Sequence, residues 1–296
     1  MRPETIAALS AAGLDAGETG RSVRDGLVED FRYGPDVTSV ATTADLPPVT
    51  GDVVAREAGV LAGVPVALAV LDLLAETGNA AGEVTGTVLR PDGSRIAPGD
   101  AVLRVHGPAP AVLGAERTML NFLTHLSGIA TATRAWADAI AGTGAVVRDT
   151  RKTLPGLRAL QKYAVRCGGG RNHRMGLGDA ALIKDNHVAA AGGIAKAISL
   201  VRAAAPDVPL EVECDTLEQV REALEAGARF ILLDNMGVAS LRSAVAAAAA
   251  YPGVRLEASG GLRLENAREV AATGVDYLAV GALTHSSRVL DLGLDF

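Results

Sequence analysis

Cysteine is nearly absent from this 296-residue chain: there are two, Cys167 and Cys214. Two thiols give neither a disulfide framework nor metal-ligand spacing, so a reducing, cytoplasmic setting is expected and both read as packing residues. Aromatic residues make up only 3%, too few for the stacking platforms of single-stranded nucleic-acid binders. Long apolar runs are also missing. The longest, Ala58 to Leu71, is interrupted by Gly63 and Pro65 and stops at Asp72, short of the roughly 20 residues that span a bilayer. The first twenty residues mix acids and glycine into their alanines, unlike the apolar core of a signal peptide. No nucleic acid, no membrane and no export are therefore expected.

Against a net charge of -6, the stretch 148–184 is strongly basic: nine Lys and Arg face two acids, Asp149 and Asp179. Glycines and apolar residues interleave these cations (GGGRNHRMGLGD), so they do not form a solvated charge run. A small ligand with several negative charges is implied. Within the stretch, Arg158, Lys162 and Arg166 are spaced as one exposed or ligand-adjacent helix face.

The chain has two textures. Up to about Gly114, short β-rich runs (GDVVAREAGVL, EVTGTVLR, DAVLRVHG) alternate with turn signals, with a helix at Val66 to Glu76, predicting an α+β sandwich over 1–116. Half of a lipoyl-type β module can be seen in DGSRIAPGDAVLRVHG, but no lysine marks its tip. From Ala145 the runs AVVRDT, ALIKDNH, LEVECDT, ARFILLDN, RLEASGG and DYLAVGA alternate with Ala-rich helices. That pattern predicts parallel βαβ units. Chemistry spread over the polar ends of consecutive strands favours a (β/α) barrel. Six clear strands predict an incompletely closed barrel of six or seven strands over 117–284. The apolar series after the last strand predicts a tail, 285–296, that returns to the N-terminal domain.

Three groups of strand-end residues carry chemistry. Ser259, Gly260 and Gly261, and Gly281 with Ala282, offer backbone N–H groups after the last two strands, where many barrels bind phosphate. Glu213 and Asp234 are rim carboxylates suited to a ribose hydroxyl or to Mg²⁺ shared with a polyphosphate; Asp215 suits helix capping better. Arg151, Lys152, His173, Arg174 and Lys184 provide forks and point charges for carboxylates. Lys184 alone also admits a Schiff-base role or a buried ion pair with Asp185.

The strings DTRKTLPGLRALQKYAV, GGGRNHRMGLGDAALIKDNH, EVECD, LLDN, EASGG and DYLAVGALTHS, with GAERTMLNFLTHLSGIAT upstream, resemble the quinolinate phosphoribosyltransferases, also called nicotinate-nucleotide pyrophosphorylases (carboxylating). The resemblance covers essentially the whole chain. It implies condensation of quinolinate with phosphoribosyl pyrophosphate (PRPP) and Mg²⁺, giving nicotinate mononucleotide, pyrophosphate and CO2 for NAD synthesis. It further implies that Arg117, Arg151, His173, Arg174 and Lys184 hold quinolinate. Lys152, Glu213 and Asp234 would serve the donor and its metal, with Ser259, Gly261 and Gly281 around phosphate. A homodimer is implied, Arg117 reaching the neighbouring subunit's barrel. Three rivals are a related pyrophosphorylase for another base, a Schiff-base aldolase and a non-catalytic phosphate-binding barrel.

Overall fold

The structure is a computed structural model that describes residues 1–78 and 82–296. Three helices lead, α1 (Pro3–Ala11), α2 (Ala16–Phe31) and α3 (Val37–Thr43). Asp15 and Asp36 cap the second and third through their carboxylates, satisfying N–H groups that a first helical turn leaves open. Next come β1 (Val49–Ala55), β2 (Gly59–Val60), α4 (Val64–Leu73) with a 3-10 turn at Leu74–Thr77, β3 (Thr85–Val88), β4 (Arg95–Ile96), β5 (Ala101–Gly107) and α5 (Ala109–Ala139). Strands and helices then alternate: β6 (Val146–Arg148), α6 (Arg158–Cys167), β7 (Ala181–Ile183), α7 (Asp185–Ala191), α8 (Ile194–Ala204), β8 (Leu210–Cys214), α9 (Leu217–Glu225), β9 (Phe230–Asp234), α10 (Val238–Ala248), β10 (Arg255–Ser259), α11 (Leu264–Ala271), β11 (Tyr277–Ala279) and α12 (Ala282–His285). The last strand is β12 (Leu292–Asp295).

Two compact units result: Met1–Arg134 with Leu154–Gly169 and Ser286–Phe296, and Ala135–Thr153 with Gly170–His285. The boundary expected at residue 116 falls inside α5, which is helical throughout 109–139. The change of texture near Gly114 marks the end of the strands, and the helix carries the chain on without a break.

The first unit holds an antiparallel sheet in the order β12-β1-β5-β3. Helix α4 is apolar nearly all round, and Val64, Val66, Ala67, Ala69, Val70, Leu71 and Leu73 are buried, as such a helix must be. It lies directly on the sheet because Gly86 has no side chain: a Cβ there would come within 2.5 Å of Leu68. Asp92 caps α4, accepting from Gly63 N and Val64 N. Tyr163 donates to the same carboxylate at 2.5 Å, tying α6 into this unit. Of the exposed or ligand-adjacent helix face expected from Arg158, Lys162 and Arg166, the exposed alternative does not hold, since residues Leu160–Val165 are all buried and Lys162 is 0% exposed. Burial on all sides of α6 overrides the charge spacing, which by itself cannot say how much of a helix is covered. Arg158 is half-buried, and Arg166 is exposed, donating to Ala12 O at 2.7 Å.

The tail adds β12 as an edge strand on β1, and its approach is close. A Cβ on Gly128 of α5 would lie 2.0 Å from the Arg288 carbonyl oxygen. Helix propensity alone favours alanine by about 1 kcal/mol, but an immovable backbone contact reverses that preference. Gly128→Ala is expected to destabilise by about 1–3 kcal/mol, read as a lower urea midpoint at unchanged slope. A raised midpoint would show that the tail yields freely.

In the second unit six parallel strands run in the order β6-β11-β10-β9-β8-β7. β6 and β7 are its edges, so the barrel closes through β11 and stays open between the first two strands. Registers Glu213↔Leu232, Leu232↔Glu257 and Asp234↔Ser259 level the strand ends. Alternation then puts Glu211, Glu213, Asp234, Glu257 and Ser259 on one face. At α9 the cap is Thr216, whose hydroxyl accepts from Gln219 N, while Gln219 Oε1 returns to Thr216 N and Asp215 N. Asp215, the expected cap, thus enters as a backbone donor, because the reciprocal Thr–Gln box suits the helix start one residue later.

Candidate active site

A buried acid assembles the basic side. Asp149, 0% exposed, follows β6 and accepts from His173 N at 2.8 Å and Asn172 Nδ2 at 2.6 Å. Arg171 N also donates to Val147 O. The segment 171–174 is therefore drawn alongside β6, and His173 and Arg174 join Arg151 and Lys152 from the loop after that strand. Thr284 Oγ1 donates to Lys152 O at 2.7 Å. Gly281 leaves room for the lysine stem, since a Cβ there would sit 3.1 Å from Lys152 Cδ. Arg174 Nη1 donates to Ala180 O at 2.8 Å. Burial, and then the neighbouring Arg151 guanidinium, push the Arg174 guanidinium below its usual range. Two arginines held this close call for an anion between them.

Across from them stand the acids. Lys184 follows β7 as the N-cap of α7, and its Nζ meets Glu213 Oε2 at 2.5 Å, with the lysine side chain 46% exposed. Its partner is therefore Glu213 on the next strand, where Asp185 had been the sequence alternative: Asp185 opens α7, and its carboxylate accepts from Asn186 N. Asp234, at the end of β9, accepts from Asn235 Nδ2 at 2.6 Å. Asn235 has a φ of 53°, a left-handed conformation that asparagine tolerates. A Cβ on Gly260, where φ is 81°, would strike Asn235 Oδ1 at 2.2 Å, so glycine is required there for a conformational and a steric reason.

One cavity of about 420 Å³ is lined by Arg151, Lys152, His173, Arg174, Lys184, Glu213, Asp234 and Ser259. Gly260 and Gly261 follow β10 next to Ser259, Gly281 follows β11 beside Lys152, and Ala282 opens α12. Arg117 does not line it. That residue is exposed in the first unit, in a small cleft with Asp30, Phe31 and Asp36. Sequence reasoning missed Thr150, Leu182, Leu232, Ala279 and Glu257, which also line the cavity. For Glu257 there was a signal: a carboxylate two residues before Ser259 on the same face of β10, set between the apolar Leu256 and Ala258.

Beneath the rim lies a buried polar network. His173 Nε2 is 2.8 Å from Glu211 Oε2 and 3.6 Å from Glu257 Oε1. Arg174 N donates to His173 Nδ1 at 2.7 Å, which leaves the ring proton on Nε2, facing Glu211. Arg148 pairs with Glu257 Oε2 and sits 4.7 Å from the centroid of the Tyr277 ring.

An open (β/α) barrel whose strand ends carry cations, rim carboxylates and glycine loops defines a protein built for a small polyanion and its polyphosphate partner. Residues 36–127 match the N-terminal domain, and 129–295 the C-terminal domain, of the quinolinate phosphoribosyl transferase family, and the chain belongs to that family. It is 57% identical over 281 residues to the nicotinate-nucleotide pyrophosphorylase [carboxylating] of Mycobacterium leprae, covering 93% of this chain and 95% of that one. The probable enzyme of the same name from Bacillus subtilis is 42% identical over 270 residues, covering 91% and 90%. Among solved structures, the nicotinate-nucleotide pyrophosphorylase from Francisella tularensis superposes with a TM-score of 0.88 at 36% identity, covering 94% of this chain and 96% of that one.

Proposed function

We propose that this chain is a carboxylating nicotinate-nucleotide pyrophosphorylase that condenses quinolinate with PRPP, giving nicotinate mononucleotide, pyrophosphate and CO2 in NAD biosynthesis. The observation that carries this is the joint lining of one cavity by Arg151, His173, Arg174 and Lys184 and by the carboxylates Glu213 and Asp234. Two adjacent ring carboxylates match the cations. Lys152, anchored beside Gly281, suits the phosphate-rich donor. As the pyridine nitrogen attacks the anomeric carbon, positive charge develops on the ribose, and fixed carboxylates stabilise it without reorganising. The pyridinium product is an electron sink, so the 2-carboxylate leaves as CO2.

Glu213 and Asp234 end neighbouring strands with carboxylate oxygens at the rim, a donor set that fits a hard cation, and Glu213 already holds the ammonium of Lys184. They would hold Mg²⁺ together with pyrophosphate. Bound there, the ion supplies charge neutralisation to the leaving group. The same reading includes a homodimer in which Arg117 of the partner subunit completes the quinolinate site, and a cytoplasmic location, supported by two free cysteines. No helix of the described residues is long and apolar enough to cross a membrane.

The test is CO2 release from carboxyl-labelled quinolinate. It is expected only with PRPP, to stop with EDTA and to return with excess Mg²⁺. Nicotinate lacks one carboxylate and would leave cations of the cavity without their counter-charge, so its kcat/KM is expected to be lower by on the order of 10⁴. Comparable turnover of nicotinate would favour a relative acting on another base. Lys184, paired with Glu213 and nearly half exposed, lacks the apolar surround of a Schiff-base lysine. Borohydride with quinolinate is therefore expected to trap no adduct.

A further inference from the structure

Decarboxylation leaves an electron pair on the ring carbon, and some group must return a proton to it. Of the cavity-lining residues, Arg151, Lys152, Arg174 and Lys184 are bases whose positive charge the substrate needs for binding. His173 is committed otherwise: its Nδ1 accepts from Arg174 N and its Nε2 proton faces Glu211. Glu257 differs from all of these. It lines the cavity yet is 1% exposed. One carboxyl oxygen is bound by Arg148, while the other, Oε1, has no hydrogen-bond partner among the described residues. An orphaned buried oxygen at the floor of a reaction cavity is costly unless it has a use.

From this placement, and resting on the quinolinate reading above, we propose that Glu257 is the general acid that protonates the ring carbon vacated by the carboxylate. In that step the bond from C2 to the carboxylate breaks and CO2 leaves, with the electron pair remaining on C2. A C2–H bond then forms with the proton from Glu257 Oε1, whose O–H electron pair stays on the carboxylate, paired with Arg148. A solvent proton recharges the residue before the next turnover, matching the one proton that the overall reaction consumes.

The surroundings keep Glu257 in the acid form. Burial first, and then the charge of Glu211 from β8, push its carboxyl up to about 8, against the opposing pull of Arg148 from β6. Asp149, also from β6, adds to the rise. His173 comes from the segment before β7, and at the same register β9 and β11 present Leu232 and Tyr277. A carboxylate this close to the buried Glu257 carboxyl favours the protonated form of Glu257.

The test is Glu257→Gln, which keeps an acceptor for Arg148 and removes the acidic proton. Pyrophosphate and CO2 are followed separately by rapid quench. The variant is expected to release a burst of pyrophosphate while net CO2 release falls about 100-fold, because the unprotonated C2 carbanion recaptures CO2 before it escapes and the ribosylated dicarboxylate accumulates. The quinolinate KM should change little, and Glu257→Asp should recover part of the rate. Loss of both products in parallel without an accumulating intermediate, or full CO2 release by the variant, would overturn the assignment. The wild-type protein provides a second measurement that no folding defect can obscure. Its CO2 step is expected to fall as pH rises through about 8, where the acid form is lost, while the pyrophosphate burst persists. A CO2 step flat across that range would also overturn it. Wild-type protein that releases neither product would refute the underlying reading itself, and that result appears before any variant is made.

Discussion

Lys152→Ala and Lys184→Ala are each expected to reduce kcat by about 10²–10³-fold, and to do so through different substrates. Lys152 is held by Thr284 at its carbonyl and lies along Gly281 after β11, beside the loops proposed to hold phosphate. Its loss should raise KM for PRPP most. Lys184 stands at the end of β7 and lines the same cavity as Arg174, with Nζ on Glu213. Its loss should raise KM for quinolinate most. A steady-state matrix, with each substrate varied against saturating partner, separates the two. If Lys184→Ala leaves quinolinate KM untouched, the ion pair with Glu213 is its whole role.

Subunit mixing gives the other large effect. Arg117 is exposed in the first unit and absent from the cavity lining, and the proposed homodimer gives it a role in the partner subunit's site. Arg117→Ala and Lys152→Ala homodimers should each be nearly inactive. When the two are mixed and reassociated, every hybrid dimer carries one site with both residues and one with neither. Random exchange makes half the dimers hybrid, so about a quarter of wild-type activity should return. No recovery, after subunit exchange is verified by mass spectrometry of differently tagged chains, would mean that Arg117 acts in its own chain or does not act at all.

The two variants also mark where reading the sequence succeeds. Lys152, Lys184, Glu213 and Asp234 stood out because parallel strands put their C-terminal residues at one rim, so a polar residue closing an apolar run is already a candidate. Glu257, Glu211 and Asp149 escaped attention because they lie within or just after strands, and a one-dimensional pattern does not tell a buried charge with partners from a solvated one. The three cations of α6 misled for the converse reason. Their i, i+4 spacing describes a helix face, yet burial of Leu160–Val165 depends on what packs around the helix.

What the sequence determined by itself was the alternation of strands and helices, the polar strand ends and the basic stretch, all of which follow from local periodicity and composition. Only the tertiary structure decided that α5 continues through the expected domain boundary, that α6 belongs to the first unit, and that Lys184 pairs with Glu213 and not with Asp185. It alone brought Arg148, His173, Glu211 and Glu257 together from four separate segments. Contacts of that kind arise when the sheet curves and the chain returns on itself, which sets their distances and excludes water, and neither quantity is written in the spacing of residues along the chain.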